Sequence, residues 1–182
     1  MDKKYFSREI EIPDGITVQV SGGTVAVKSK NSEVSKKFKF SDEQIKIDGK
    51  KILLVTKRMT QSDKKMIGSV ESHIKNMIKG VMESHRYVLK ICSGHFPMNV
   101  SYSNFKLTIK NFLGEKTPRI LNVKPGVSVK VEGDHITVES ADKGLASQVS
   151  ADIEQLTRRP GFDTRVFMDG IYIISKAGTE LK

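Results

Sequence analysis

The residues that most often carry catalysis or bind metals are few in this sequence, and none falls into a working set. The four histidines have no partner at the spacing of a helical metal site such as HxxxH or HExxH; they are His73, His85, His95 and His135. The single cysteine, Cys92, leaves no pair for an internal disulfide and no zinc site built from several cysteines. We therefore expect no metal, no cofactor and no enzymatic activity.

The surroundings of these side chains favour structural roles. His73 lies near the apolar face of a predicted helix, which favours a partly buried structural residue, and His135 lies in a strand pattern, which favours a solvated position. Cys92 ends the apolar run YVLKIC, where we expect a buried and unreactive thiol. For His95, at the junction of two predicted domains, a structural and a functional role both stay open.

One glycine-containing segment is similar to part of a phosphate-binding loop. Residues 114–117 read GEKT, but that motif needs adjacent Gly and Lys and a second glycine five residues earlier. Both features are missing. We interpret the glycines of this chain as turn residues that supply backbone geometry.

Positive charge is the stronger chemical signal. The chain has 31 Lys and Arg against 21 Asp and Glu, a net charge of +10. Residues 1–83 carry 17 basic and 11 acidic side chains, and residues 84–182 carry 14 and 10, so both halves are basic. This balance favours a polyanionic partner, most often nucleic acid. The alternative is a basic protein with no such partner.

The basic residues are spread over predicted turns and helix ends. That distribution favours contacts with many phosphates of an irregular RNA surface. The sequence has no helix-turn-helix, zinc-finger or RRM signature, so nothing in it favours duplex DNA or an RRM. Taken singly, each of these residues could be a solvated surface charge. They are Lys28, Lys30, Lys36, Lys37, Lys57, Arg58, Lys110, Lys116, Arg119, Arg158, Arg159 and Arg165.

The elements that must position these residues occur twice along the chain. The matched segments are residues 45–55 and 129–139, residues 12–18 and 96–102, and residues 63–77 and 142–156. Three matched blocks in one order indicate an internal duplication. We predict two α+β domains, residues 1–83 and 84–182, each a small, mostly antiparallel sheet packed with one main helix.

Local patterns predict the elements of each copy. Hairpins are expected around residues 16–28, 45–55 and 129–139, strands over 34–40, 106–113 and GIYIIS, and a loop over 56–63. The first helix should bury Met66, Val70, Ile74, Met77 and Val81. Ser62 or Asp63 should cap its start, and Gly80 should be the C′ residue just past its end. The second should bury Leu145, Val149, Ile153 and Leu156 and have Arg158 and Arg159 in its last turn.

The N-terminal sequence and the lone cysteine bear on location. The N-terminal segment MDKKYFSREIEI lacks the apolar core of a signal peptide. A membrane-spanning helix needs about 18 consecutive apolar residues, and no stretch of this sequence is close to that length. A single cysteine suits a reducing compartment. We expect a soluble intracellular protein with no membrane partner.

Several strings resemble a known family. SHIKNMIKGV (72–81), HFPMNV (95–100), IKNFLGEK (109–116), VKPGV (123–127) and FMDGIYI (167–173) are similar to the large-subunit ribosomal protein family called L-six in bacteria and L-nine in eukaryotes, most closely its eukaryotic cytosolic branch. The similarity spans essentially the whole chain and includes the duplication.

The resemblance implies a structural constituent of the large (60S) ribosomal subunit. Its partners would be large-subunit rRNA near the sarcin–ricin loop, neighbouring proteins at the stalk base, and translational GTPases that dock close by. It would act in the cytosolic ribosome, with assembly in the nucleolus if the chain is eukaryotic. A free RNA-binding or translation-regulatory protein is the alternative, and an enzyme acting on RNA is disfavoured because no acid–base or metal set is present.

The resemblance also implies which residues contact rRNA. The second domain should carry most of the contact, through Lys110, Asn111, Lys116 and Arg119 of the NFLGEK segment and through Arg165 and Lys176 on either side of FMDGIYI. In the first domain, the resemblance gives Lys28 and Lys30 a smaller share.

Overall fold

A computed structural model describes residues 7–30, 32–38, 45–56, 60–163 and 165–181. Parts of the predicted strand over 34–40 and of the predicted loop over 56–63, including Lys57 and Arg58, lie outside these ranges. The chain divides into two compact units, residues 1–83 (unit 1) and 84–182 (unit 2). None of the described helices is long and apolar enough to cross a membrane.

The described part of unit 1 contains six strands and one long helix. They are β1 (Ser7–Glu11), β2 (Thr17–Ser21), β3 (Thr24–Lys28), β4 (Glu33–Lys37), β5 (Ile45–Asp48), β6 (Lys51–Val55) and α1 (Gln61–Met82). The β2–β3 and β5–β6 hairpins confirm the predicted turns. Gly22, Gly23 and Gly49 adopt φ values of 56°, 75° and 56°, a left-handed conformation that favours glycine at hairpin turns.

Helix α1 differs from its predicted limits. Thr60 is the N-cap: its hydroxyl accepts a hydrogen bond from the Asp63 N–H at 3.2 Å and donates one to the Asp63 carboxylate at 2.7 Å. The predicted caps, Ser62 and Asp63, were wrong, because both lie within the first turn. Gly80 was also wrong as the end, since the helix continues through it to Met82.

The buried face of α1 differs from the prediction at one position. Val70, Ile74, Met77 and Val81 are buried as expected, but Met66 is 41% exposed. The side chain that packs inward in the first turns is Ile67, which is fully buried. Two adjacent apolar residues fit a helical period almost equally well, and packing against the sheet selected Ile67.

The described part of unit 2 contains eight strands and one main helix. They are β7 (His85–Cys92), β8 (Asn99–Ser103), β9 (Lys106–Lys110), β10 (Arg119–Asn122), β11 (Ser128–Glu132), β12 (His135–Ser140), α2 (Lys143–Leu156), β13 (Gly170–Lys176) and β14 (Thr179–Glu180). Helix α2 packs on β7, β12 and β13. Val149 and Ile153 are buried as predicted, whereas Leu145 and Leu156 are half-buried at the edge of the core.

The two units share one connectivity. In unit 1 the sheets have the orders β1-β6-β5 and β2-β3-β4, and in unit 2 the same connections give β7-β12-β11 and β8-β9-β10. The helix follows β6 in one unit and β12 in the other. All pairings between these strands are antiparallel. The α+β class and the tandem duplication are confirmed, with the described strands of each unit forming two sheets.

Unit 2 adds two strands to the shared plan. Strand β13 pairs with β7 on the edge opposite to β12, with Gly170 facing Cys92 and Lys176 facing Tyr87, and β14 pairs with the end of β13. Among the described strands of unit 1, β1 pairs with β6 alone. The addition requires a connection from the end of α2 to the start of β13, which residues 157–169 supply.

Two predicted boundaries near this connection were wrong. Strand β9 ends at Lys110, not at residue 113, because Asn111 and Leu113 adopt left-handed φ values of 60° and 48° that break the ladder. Helix α2 ends at Leu156 with Thr157 as its C-cap. Arg158 and Arg159 therefore belong to the following loop and not to the last helical turn.

Candidate nucleic-acid interface

Three segments of unit 2 meet at one end of its sheets: residues 94–98, residues 111–119, and the described residues of the connection from α2 to β13, 157–163 and 165–169. We call their exposed surface the loop face. The first two segments are joined by the side chain of Asn111, whose amide nitrogen donates a hydrogen bond to the Pro97 carbonyl at 3.1 Å. The left-handed backbone of Asn111 turns the chain out of β9, so this residue both ends the strand and fixes the start of the next segment.

Arg119 joins residues 111–119 to the end of α2. Its Nε and Nη2 donate to the two carboxylate oxygens of Glu115 at 2.9 and 2.7 Å, and its Nη1 donates to the Leu156 carbonyl at 2.6 Å. The guanidinium also lies 4.4 Å from the centre of the buried Phe112 ring. Its hydrogen bond holds the pKa of Glu115 below the ordinary value. Arg119 thus satisfies a carbonyl that the helix end leaves without an internal partner.

Asp169 joins residues 157–169 to residues 94–98. Its side chain is only 3% exposed, and it accepts hydrogen bonds from the Gly94 N–H at 2.8 Å, the His95 N–H at 3.0 Å and His95 Nδ1 at 2.5 Å. Burial disfavours the charged form, but the hydrogen bonds from His95 and Gly94 outweigh it and lower the pKa of Asp169. Of the two roles open for His95, these contacts support the structural one.

An aromatic cluster lies on the loop face. The rings of Phe162 and Phe167 meet edge to face with centroids 5.1 Å apart, and the rings of Phe167 and His95 are 5.3 Å apart. The Arg159 guanidinium lies 4.4 Å from the centre of the Phe162 ring. Phe162 and Phe167 remain 40% and 38% exposed. This cluster was not predicted from the sequence, although arginines alternating with two phenylalanines over residues 158–167 are typical of single-strand RNA binding.

The loop face carries more positive than negative charge, and its carboxylates are occupied. Glu115 binds Arg119, Asp169 binds His95, and Asp163 binds the exposed Arg165 at 2.9 Å. The arginine hydrogen bonds lower the pKa of Asp163, which therefore stays charged. Within the described residues, Lys116 and Arg158 form no ion pair and are exposed.

The structure brings together five of the eight residues that the resemblance implied. Arg165, Lys116, Asn111 and Arg119 lie within the loop face, and Lys110 lies at the end of β9 beside it. Arg119 is 24% exposed and is engaged within unit 2, as described above. Its share of any RNA contact is limited to the N–H groups that these bonds leave unused.

The other three residues lie elsewhere. Lys176 is at the far end of β13 from the loop face, a strand length of roughly 20 Å. In unit 1, Lys28 ends β3 and forms an ion pair with Glu33 at 3.0 Å, and Lys30 is exposed in the turn that follows.

The described residues contain no group of three or more His, Cys, Asp or Glu side chains that could hold a metal ion. Cys92 is half-buried in β7. The site is thus a duplicated α+β scaffold with lysine, arginine and phenylalanine on the loops of one copy.

Comparison with known proteins gives the family. The model of the family described as ribosomal protein L6 matches residues 12–84 and again residues 96–170, once for each copy of the duplication. The chain belongs to the ribosomal protein L6 family, as the resemblance indicated. This is a family of structural proteins, so the prediction that the chain is not an enzyme is confirmed.

Individual relatives resemble the chain over nearly their whole length. A protein named large ribosomal subunit protein uL6 from Methanococcus vannielii is 43% identical over 173 residues, 95% of each chain. Proteins of the same name from Methanothrix thermoacetophila and Ignicoccus hospitalis are each 40% identical, covering 93% and 92% of this chain and 96% and 92% of their own. These relatives are archaeal, and they give the expected eukaryotic branch no support.

Proposed function

We propose that this chain is a structural constituent of the large ribosomal subunit and that it binds large-subunit rRNA mainly through the loop face of unit 2. Family membership and relatives named as large-subunit proteins support the assembly. The observation that carries the RNA contact is the loop face itself. Exposed Lys116, Arg158 and Arg165 project from two of its segments, which Arg119 and Asp169 hold in place.

This arrangement suits a phosphate surface for a physical reason. Most contacts between such proteins and nucleic acid go to phosphates, which fix orientation without reading sequence. Cations held on a rigid frame lose little conformational entropy when they bind. Arg119 and Asp169 provide that frame: Arg119 binds the Leu156 carbonyl at the end of α2 and Glu115 within its own segment, and Asp169 accepts three hydrogen bonds from Gly94 and His95.

The implied residues divide accordingly. Lys110, Asn111, Lys116 and Arg165 are proposed as direct contacts, Arg119 as a positioning residue with at most a partial contact, and Lys176, Lys28 and Lys30 as contacts with separate parts of the RNA. The proposed protein partners are neighbouring subunit proteins at the stalk base, with translational GTPases docking nearby. The proposed location is the cytoplasmic ribosome. Assembly in a nucleolus applies only if the source is eukaryotic.

The alternative is a free RNA-binding or translation-regulatory protein. Sedimentation of a cell lysate on a sucrose gradient separates the two, because a ribosomal constituent travels with large subunits and whole ribosomes. A chain found only at the top of the gradient would contradict the ribosomal assignment.

The RNA contact is tested by the salt dependence of binding. The full chain with Lys116, Arg158 and Arg165 changed to Ala should bind large-subunit rRNA fragments more weakly, with a log–log salt slope shallower by roughly 0.7–0.9 for each phosphate that the variant no longer neutralises. The matched control changes Lys106, Lys124 and Lys130, three exposed lysines of unit 2 outside the loop face. Equal slopes for both triple variants would show that the loop face does not hold the RNA.

A further inference from the structure

A cleft of about 210 Å³ opens within the loop face, between the end of α2 and the start of β13. Leu113, Arg158, Phe162, Phe167, Ile171 and Tyr172 are among the residues that line it. We propose that this cleft takes the base of a single unpaired RNA nucleotide, whose flanking phosphates lie on Arg158 and Arg159. The inference rests on the proposed function and names the feature of the RNA that this face would select.

The size and lining of the cleft suit one planar ring system. Its volume is below the about 300–1,000 Å³ typical of pockets for drug-sized ligands, so it has room for a base and not for a larger ligand. Phe162 and Phe167 stand edge to face and are partly exposed, so they offer ring surface that no other side chain covers completely. Unpaired bases stack on such rings and on arginine planes, and the Arg159 guanidinium already lies over the Phe162 ring.

The electrostatics of the cleft agree with a base flanked by phosphates. Two carboxylates, Glu154 and Asp169, are part of the lining, but both are occupied: Glu154 accepts from the Ile173 N–H at 3.3 Å, and Asp169 accepts from His95. Burial raises the pKa of Tyr172, so its hydroxyl stays protonated and can hydrogen-bond to a base edge. The rim is cationic, through Arg158 and Arg159.

Other ligands fit less well. A free nucleotide is usually held by consecutive backbone N–H groups around its phosphates, and the loop here contains Pro160, which has no N–H. An extended peptide would pair with an open strand edge, but beside the cleft the N–H groups of Ile171 and Ile173 in β13 already donate to the side chains of Thr157 and Glu154. A nucleotide within an RNA chain needs neither feature, since its phosphates are held by side chains on the rim.

The test compares two hairpin RNAs that differ by one nucleotide. One carries a single bulged 2-aminopurine, and the other is fully paired. The full-length chain should bind the bulged hairpin about tenfold more tightly, the value expected for one stacked base, and 2-aminopurine fluorescence should fall on binding. Phe162→Leu should remove most of this preference, whereas Phe162→Tyr, which keeps the ring, should retain it.

Matched variants separate stacking from other effects. Phe105→Leu makes the same change at an exposed phenylalanine in the β8–β9 turn, at the opposite end of β9, and should leave the preference intact. Arg158→Met should weaken both hairpins alike, because a phosphate contact does not distinguish them. Circular dichroism of each variant confirms that the chain is folded. If Phe162→Leu does not fold, the affinities of the parent chain for the two hairpins and the competition by free adenosine monophosphate still test the inference.

Three results would overturn the inference. The first is equal affinity for the two hairpins. The second is a preference that survives in folded Phe162→Leu, and the third is competition by free adenosine monophosphate as strong as by the bulged hairpin. In each case, continued sedimentation with large subunits and a steep salt slope would leave the proposed function standing. If the chain neither sedimented with large subunits nor showed a steep salt slope, the proposed function itself would be wrong.

Discussion

The guanidinium of Arg119, at the start of β10, donates a 2.6 Å hydrogen bond to the carbonyl of Leu156, at the last residue of α2. These residues are far apart in sequence, and their bond joins the segment that follows β9 to the end of the helix. Together with the paired bonds to Glu115, it makes Arg119 a structural link inside the loop face.

Arg119→Met should destabilise unit 2. The change leaves Glu115 without its partner and the Leu156 carbonyl without its donor, which we expect to cost about 1–3 kcal/mol. Arg119→Lys should keep only part of the stability that Arg119→Met loses, because an ammonium group cannot make the paired hydrogen bonds of a guanidinium. Hydrogen exchange followed by mass spectrometry measures unit 2 separately from unit 1. The control is Arg165→Met, at an exposed pair, which should leave the exchange of β9, β10 and α2 unchanged.

Asp169 makes the stability of unit 2 depend on pH. Its pKa is lower in the folded chain than in the unfolded chain, so its stabilising effect is present above the unfolded value of about 3.9 and is lost as pH falls through the folded value. Asp169→Asn should be less stable than the parent chain at neutral pH. The difference should shrink as pH falls below about 4, and urea unfolding at a series of pH values measures it. A difference that stays constant down to about pH 2 would contradict this.

Ile74→Asp should unfold unit 1, since Ile74 is fully buried in the middle of α1 and an isolated buried charge costs several kcal/mol. The same helix offers a matched control in Met66→Asp, at a position that is 41% exposed. We expect that control to keep its thermal transition. If Ile74→Asp and Met66→Asp lost the same amount of thermal stability, the assignment of the buried face of α1 would be wrong.

Thr60→Ala should cost about 1 kcal/mol, the usual effect of removing an N-cap hydroxyl. Ser62→Ala, one of the two positions that the sequence suggested as the cap, should have little effect. Hydrogen exchange in the first turns of α1 should rise in the first variant and not in the second. The reverse order would place the cap at Ser62.

The sequence was sufficient for the features that rest on local pattern. Hairpin turns, helical periods and the internal repeat predicted the α+β class and the duplication, because each depends on residues close together or on matched segments. Boundaries were less secure where two local patterns compete. Phe112 and Leu113 continue the apolar pattern of β9, yet the left-handed backbone of Asn111 and Leu113 ends the strand.

The loop face could not be predicted from local pattern. It exists because Asn111 reaches Pro97, Arg119 reaches Leu156 and Asp169 reaches residues 94 and 95, contacts between segments distant in the sequence. Composition identified most of the cations, and the resemblance identified several of the same positions. Neither separated Arg119, which is held internally, from Lys116 and Arg158, which are exposed.

The pairing of β13 with β7 has a consequence for how the chain folds as it is made. In unit 1, β1 meets β6 before α1 has been synthesised, so that sheet can form while most of the chain is still to come. In unit 2, the opening strand β7 obtains its second neighbour only when β13 emerges, close to the C-terminus. Pairing of strands so far apart in sequence is slow, because the chain loses the entropy of closing the long intervening loop before the strand contacts stabilise it. We therefore expect the first copy to reach its native state earlier in translation than the second.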